Sequence, residues 1–251
     1  MASRCAICTS SSHHSLGANK MRVGIIGAGN MGSAFARRLS AAGHDVYIAS
    51  RDIEDAREVA TSIGSSVHAV PQEELGDSVD ILIAATPYPH QVDAVRESGT
   101  IDGKPLIEIS NPVKEDMSGL AVGLTTSAAE EVAKAAPGAM VVKAFNTVFA
   151  QVLGDAEAST GGTKVQVFFA GDEEAAKAAV RSLIESMGFE PLDAGPLSNA
   201  RYLEPVGMLN IYLGYVAKMG TDIAPAVQKV SHLPPEMPSE QEVPDRARRA
   251  R

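Results

Sequence analysis

The hydrophobic pattern begins at residues 23–26, an aliphatic run that leads straight into Gly27-Ala28-Gly29-Asn30-Met31-Gly32. Ala34, Phe35, Leu39 and Ala42 then recur at helical spacing, and Gly43 stands where a C-terminal cap belongs. This predicts a strand, a glycine turn and a helix. The alternation repeats. Strands are expected at 46–49, 67–70, 81–85, 105–109, 140–144, 165–170 and 189–192, with helices at 53–63, 127–136 and 173–187. Residues 81–85, Ile-Leu-Ile-Ala-Ala, are apolar at every position, which fits a strand buried on both faces of a parallel sheet. The expected fold class is α/β, doubly wound, with a mostly parallel sheet and a small helical part at the C-terminal end.

That last part differs from the rest. Between residues 203 and 219, Val206, Met208, Leu209, Ile211, Leu213, Tyr215 and Val216 surround the predicted helix on nearly every side, and Pro205 reads as its first turn. A helix apolar all round must be buried. The expectation is a subunit interface in a homodimer, the alternative an internal core helix.

Both ends read as disordered tails: 1–20 is acid-free and Ser-rich, and 223–251 is Pro-rich with Arg246, Arg248, Arg249 and Arg251 at its close. Between them lie a nucleotide-binding domain at 21–195 and a C-terminal helical segment at 196–222. The net charge of −9 includes +2 from residues 1–20 and +1 from 229–251, which leaves −12 on the body. An acidic body argues against nucleic-acid binding, and no apolar run is long enough for a membrane span. The two cysteines, Cys5 and Cys8, lack the further ligands a metal site needs, so no metal is expected. A body without cysteine suits a reducing compartment, read as cytoplasmic, although residues 1–20 have the composition of an organellar transit peptide as well.

The glycine spacing carries chemistry. Gly27 permits the tight turn, Gly29 lets the backbone approach a pyrophosphate, and Gly32 allows close helix–strand packing. The helix N-terminus then offers free N–H groups and a positive dipole end to the phosphate. About twenty residues on, where an acidic residue would bind an NAD ribose, stand Ser50 and Arg51. A guanidinium pairs bidentately with phosphate, so this ending favours NADP; Asp52 reads as the N-cap of the next helix. Ligands in such sheets lie beyond the strand ends, which brings Ala85, Thr86 and Asn111 to the cofactor edge. No nucleophile–base or acid–base pair stands out, hence no catalytic residue is assigned. His90, Tyr88 and Lys143 are the candidate proton donors, each with a plainer structural reading; Lys143, in a buried strand, is expected to reach a carboxylate or the phosphate edge. His44 and His68 read as surface residues.

With these residues in place, the chain resembles the NADPH-dependent coenzyme F420 reductase family. The resemblance rests on GIIGAGNMGSAFARRL at 24–39, GHDVYIASR at 43–51, ISNP at 109–112, PGAMVVKAFNT at 137–147, and FFAGDEEA and GFEPLDAGPL within 168–197. The first two are shared with many dehydrogenases; the later ones are more specific. The resemblance implies a Rossmann domain, often dimeric, that binds NADP and passes hydride to coenzyme F420. It places Gly29, Asn30, Met31 and Gly32 on the pyrophosphate, Ser50 and Arg51 on the 2'-phosphate, and Ala85, Thr86, Asn111 and Ala144 around the nicotinamide. The expected function is hydride transfer between NADP(H) and a deazaflavin or flavin-like acceptor. The alternatives are an imine or pyrroline-carboxylate reductase and a non-catalytic NADP-binding redox sensor.

Overall fold

The structure is a computed structural model that describes residues 20–155, 159, 160 and 162–230. Cys5, Cys8, most of the expected N-terminal tail and the arginine cluster lie outside the described residues. Ten strands and eight α-helices follow in chain order among those described: β1 (Arg22–Ile26), α1 (Asn30–Ala41), β2 (Asp45–Ala49), α2 (Ile53–Ile63), β3 (Val67–Ala69), α3 (Gln72–Ser78), β4 (Ile81–Ala84), α4 (Tyr88–Arg96), β5 (Pro105–Glu108), α5 (Ala128–Ala135), β6 (Met140–Ala144), α6 (Ala150–Gly154), β7 (Ser159–Thr160), β8 (Thr163–Lys164), β9 (Gln166–Gly171), α7 (Glu174–Ser186), β10 (Glu190–Asp193) and α8 (Ala200–Ile211).

Eight strands form one sheet in the order β10-β9-β6-β5-β4-β1-β2-β3. All neighbours are parallel except β6 and β9. The chain winds outward from β1 to β3, then returns to β4 on the other side of β1. The topological switch point therefore falls between β1 and β4, where ligands of doubly wound sheets bind. Side chains alternate across the sheet. Val23, Ile25, Ile81, Ile83 and Val142 pack under α1 and α7; Ile26, Leu82, Ala84 and Leu106 pack under α3, α4 and α5. Helices thus cover both faces; β4 is buried along its whole length, and β1 is buried beyond the exposed Arg22.

Local signals explain several boundaries. Asp52 Oδ1 accepts from Glu54 N at 3.0 Å, the N-cap bond expected for α2. Gly43 has φ +90 just beyond α1, and Ser127 caps α5. Other elements give no clear pattern. α3 is a short acidic helix with a glycine inside it, Gly76, where a Cβ would lie 2.6 Å from Ser98 O; α6 and the β7–β8 hairpin also went unpredicted.

Two expectations need correction. The C-terminal helix starts at Ala200 rather than 203, so Pro205 sits inside α8 and not in its first turn. Nor is that helix buried all round. Its outward side exposes Tyr202 (68%) and Leu209 (56%), and the following π-helical turn, Tyr212–Val216, exposes Tyr212, Tyr215 and Val216. The side turned to the sheet is apolar only in its first turn, at Ala200 and Leu203, and continues with Glu204, Gly207 and Asn210. The described part of the expected C-terminal tail, 223–230, has no regular structure but touches the body. Ala224 packs against the core, and Gln166 exchanges hydrogen bonds with Val227 N (2.8 Å) and Val227 O (3.2 Å).

Candidate functional site

The glycine turn is built by close approach. Gly27 has φ +111, and a Cβ there would meet Ala85 O at 3.0 Å, so the ends of β1 and β4 are pressed together at the switch point. A Cβ on Gly32 would lie 1.9 Å from Gly27 O, which seats α1 on the strand end. Gly29 is the exception. A Cβ there would meet no protein atom within 4 Å. No neighbour in the protein requires its small size, whereas an incoming diphosphate would. The N-terminus of α1 has no side-chain cap and no acidic residue in its first turn. Its free N–H groups suit an anion.

From this turn a trough runs both ways. Toward β2 it passes through a cavity of about 390 Å³ between Gly27, Gly29, Ser50 and Thr86, with His90 on its rim. It opens into a wider depression of about 1060 Å³ lined by Ser50, Arg51, Arg57, Arg96 and Gln72. Ser50 Oγ lies 3.5 Å from Asp55 Oδ2, and Arg57 pairs with Glu54, whereas Arg51 is exposed toward the depression.

The other way lies a cleft of about 550 Å³, walled by Ala85, Thr86 and Tyr88, by Ser110 and Asn111 at the end of β5, by the stretch 145–151 after β6, and by Gly207, Asn210 and Tyr215 from the C-terminal helix. Phe145 turns the chain into this wall with φ 60, a conformation rare for a bulky residue. It is held there edge-on against Phe35 (centroids 5.0 Å) and Phe189 (6.1 Å). Asn111 and Asn146 join the wall to α8: Asn111 Nδ2 donates to Asn146 O (2.7 Å), and Asn146 Nδ2 donates to Asn111 Oδ1 (3.0 Å) and Leu203 O (2.8 Å). Asn210 Nδ2 donates to Thr147 O at 3.1 Å. Among the described residues, Thr86 Oγ1, Asn146 Oδ1 and Thr147 Oγ1 are buried without a partner, and all three residues line the cleft. Such groups call for a ligand or water to complete them.

The sequence-predicted residues divide accordingly. Gly27, Gly29, Asn30, Met31, Ser50, Arg51, Ala85, Thr86 and Asn111 all line one of the three connected cavities. Gly32 packs against the turn instead. Ala144 is fully buried in the core and does not border the cleft; as the last residue of β6 it still packs on the side of the sheet covered by α1 and α7. Its place is taken by Asn146 and Thr147, and with Gly207 and Asn210 these were missed, because their roles depend on α8 meeting the strand ends.

The candidate proton donors are also placed. Tyr88 Oη donates to Glu131 Oε2 at 2.7 Å, and burial, followed by that carboxylate, pushes its phenol up to about 12. His90 is exposed on α4 at the cofactor trough. Lys143 is fully buried and donates to Glu108 Oε2 (2.6 Å), Glu204 Oε1 (3.0 Å) and Ser110 O, so it reaches carboxylates as expected. His44, expected on the surface, is 1% exposed: its ring bridges Met21 N (3.2 Å to Nδ1) and Ser186 Oγ (2.8 Å to Nε2). His68 is exposed and stacks loosely on Tyr47. No cluster of metal-ligating side chains occurs among the described residues.

Known proteins agree with this layout. The model of the family described as NADP oxidoreductase, coenzyme F420-dependent, matches residues 22–112. The F420-dependent NADP reductase of Methanothermobacter marburgensis is 31% identical over 211 residues, 77% of this chain and 92% of that protein. Metalloreductase STEAP3 of Rattus norvegicus is 31% identical over 185 residues, 74% of this chain, but the match spans only 36% of the metalloreductase. Among solved structures, an Arthrobacter sp. FB24 protein put forward as an F420-dependent NADP-reductase superposes with a TM-score of 0.73 at 27% identity, over 80% of this chain and 96% of that one. On a glycine turn, an arginine-ended second strand and a near full-length match to a reductase of the same build, the chain belongs to the F420-dependent NADP reductase family of NADP-dependent oxidoreductases.

Proposed function

We propose that the chain binds NADPH along the trough and passes hydride to coenzyme F420, a deazaflavin, in the 550 Å³ cleft. In this reading the diphosphate lies on the N–H groups at Gly29, Asn30 and Met31, with Gly32 seating the helix that presents them. The 2'-phosphate meets Ser50 and Arg51. The nicotinamide lies over Ala85 and Thr86, with Asn111 and Asn146 beyond it. The bound cofactors supply the chemistry: two electrons and a proton leave the dihydronicotinamide together as hydride. The protein's part is to hold two rings face to face and exclude water.

The observation that carries this reading is the state of the three candidate donors. Tyr88 already gives its proton to Glu131, His90 stands at the cofactor trough, and all three Lys143 N–H groups are taken. With none of these three poised to release a proton into the cleft, and with the unpartnered Thr86 and Thr147 hydroxyls too weakly acidic to serve, hydride transfer between two cofactors suits the site better than imine reduction, which consumes a proton at the substrate. Anaerobic mixing of the protein with NADPH and coenzyme F420 is expected to bleach the deazaflavin absorbance. Turnover of an imine beside an inert deazaflavin would overturn the assignment. Arg51→Ala is expected to weaken NADPH by about 1–3 kcal/mol and to leave NADH nearly unchanged.

The apolar outer face of α8 supports a homodimer in which a second copy covers Tyr202, Leu209 and Tyr212. Light scattering tests it, and a monomer at micromolar concentration would remove it. We place the protein in the cytoplasm, as a small-molecule oxidoreductase that binds neither nucleic acid nor membrane.

A further inference from the structure

The side chains under the cleft form a charged cluster that hydride transfer does not use. Glu108 and Lys143 are fully buried and Glu204 is 1% exposed. Lys143 Nζ has three N–H bonds, and three acceptors surround it: Glu108 Oε2 at 2.6 Å, Glu204 Oε1 at 3.0 Å, and Ser110 O. The other Glu108 oxygen accepts from Ser110 N at 2.6 Å. The peptide groups on both sides of Ser110 are therefore clamped, the N–H by the glutamate of β5 and the C=O by the lysine of β6. Asn111, next in the chain, forms the cleft wall.

The third partner comes from a different element. Glu204 belongs to α8, and less than one turn later Gly207 faces the same wall, where a Cβ would lie 2.3 Å from Asn111 Oδ1. The height at which α8 sits thus decides whether Asn111 fits. Apolar packing anchors the first turn of α8, through Ala200 and Leu203, while its larger side chains Tyr202, Val206 and Leu209 point outward, so beyond that turn the height rests on polar contacts. Two carboxylates face one ammonium, and burial raises the Glu204 carboxyl above its ordinary value while Lys143 draws it down. Tyr88, Glu131 and the Arg201–Glu130 ion pair, which ties the first turn of α8 to α5, are further ionisable groups on this side.

We infer that Lys143, gripped by Glu108 and Glu204, is a positioning residue for the acceptor: it locks α8 to the Ser110–Asn111 turn and so fixes the acceptor half of the cleft without touching the NADPH half. This rests on the reading of the 550 Å³ cleft as the acceptor site. It separates two functions within one trough. The cofactor half is built on α1 and β2, the acceptor half on a polar latch between α8 and the ends of β5 and β6.

The test compares Glu204→Ala with Glu204→Gln in the full chain. Glu204→Ala removes the latch; Glu204→Gln keeps volume and an acceptor for Lys143. With Glu204→Ala, the KM for coenzyme F420 is expected to rise about tenfold, while the NADPH Kd, titrated by its fluorescence without acceptor, stays within about twofold. Amide hydrogen exchange is expected to quicken in α8 and at 109–113 and to stay unchanged in α1. Glu204→Gln is expected to restore both values. A parallel rise in F420 KM and NADPH Kd, or unchanged exchange in α8, would overturn the inference. Should Glu204→Ala not yield folded protein, Gly207→Ala displaces the same contact from the other side; an F420 KM unaffected by it would be equally fatal. If the wild-type protein does not reduce coenzyme F420 at all, the acceptor assignment falls by itself. The latch is then judged on exchange and NADPH titration: selective loosening of α8 with intact NADPH binding supports it, and no loosening refutes it.

Discussion

Two helices pack against the ends of the same sheet by opposite means. α1 meets it through Ala34, Phe35 and Leu39, with Gly32 in backbone contact, and its one buried charge, Arg38, is spent on carbonyls: Nε donates to Met187 O at 2.6 Å, and the guanidinium also donates to Asp155 O. α8 meets it through Ala200 and Leu203 in its first turn and through Glu204, Gly207 and Asn210 beyond, and turns Tyr202, Val206 and Leu209 away. Burial of hydrocarbon is non-directional and tolerant of small shifts, whereas hydrogen bonds between buried groups fail when displaced. The first seam therefore supplies stability and the second supplies registration. The proposed function, in which two ligand rings are held in one geometry, would benefit from having both.

The largest expected effect lies on the apolar seam. Phe35→Ala removes a fully buried ring that also packs edge-on against Phe145, and it is expected to cost about 3–5 kcal/mol of global stability in urea unfolding. On the polar seam, Asn146→Ala strands Leu203 O and Asn111 Oδ1 and is expected to cost about 1–3 kcal/mol, with a disproportionate loss of acceptor turnover. If Phe35→Ala and Asn146→Ala depress stability and acceptor turnover in the same proportion, the contrast between the seams is wrong.

A smaller effect concerns the edge of the apolar seam. Ser186 Oγ donates to Leu183 O at 2.7 Å, so it accepts from His44 Nε2–H, and His44 Nδ1 accepts from Met21 N. Protonation would place a hydrogen on Nδ1 and break the latter bond, and burial lowers the His44 pKa from 6.5. The stabilisation from neutral His44 is therefore fully present above about pH 6.5 and is lost as pH falls through the lowered folded value. Melting curves of wild type and His44→Gln are expected to diverge at neutral pH and converge toward acid; parallel curves would contradict this. The smallest effect is Leu209→Ser on the outward face of α8, expected to shift monomer stability by less than about 0.5 kcal/mol while weakening self-association seen by light scattering.

The two seams were unequally legible in the sequence. The α1 seam is encoded locally: a strand, GAGNMG and a helical stripe within about twenty residues predict the turn, its anion site and the packed face. Ser50 and Arg51 are equally local, being the end of one strand. The α8 seam joins residues 108–111, 143–147 and 204–210, and no periodicity links them. Its helix was expected to be buried because apolar residues surround it, yet beyond Ala200 and Leu203 the positions that face the protein are polar or small, Glu204, Gly207 and Asn210. Pro205 misled for a related reason. Proline removes one helical donor and is favoured in a first turn, yet α8 runs through it from Ala200 to Ile211. His44 was read as surface because its partners, Met21 and Ser186, come from distant parts of the chain.

The left-handed turn at Phe145 joins these seams in one further respect. Its ring is gripped by Phe35 of α1 and by Phe189 at the start of β10, and its backbone delivers Asn146 and Thr147 to the acceptor wall. On the proposed function, the helix whose N-terminus would receive the diphosphate is the one against which the opposite wall is braced, so the span between the two ligands would be a dimension of the core, not a product of loop closure. Redesign toward a bulkier or smaller acceptor would accordingly start at Tyr215, an exposed cleft residue just beyond α8, while the β6 side and the Gly207–Asn111 contact act as fixed references.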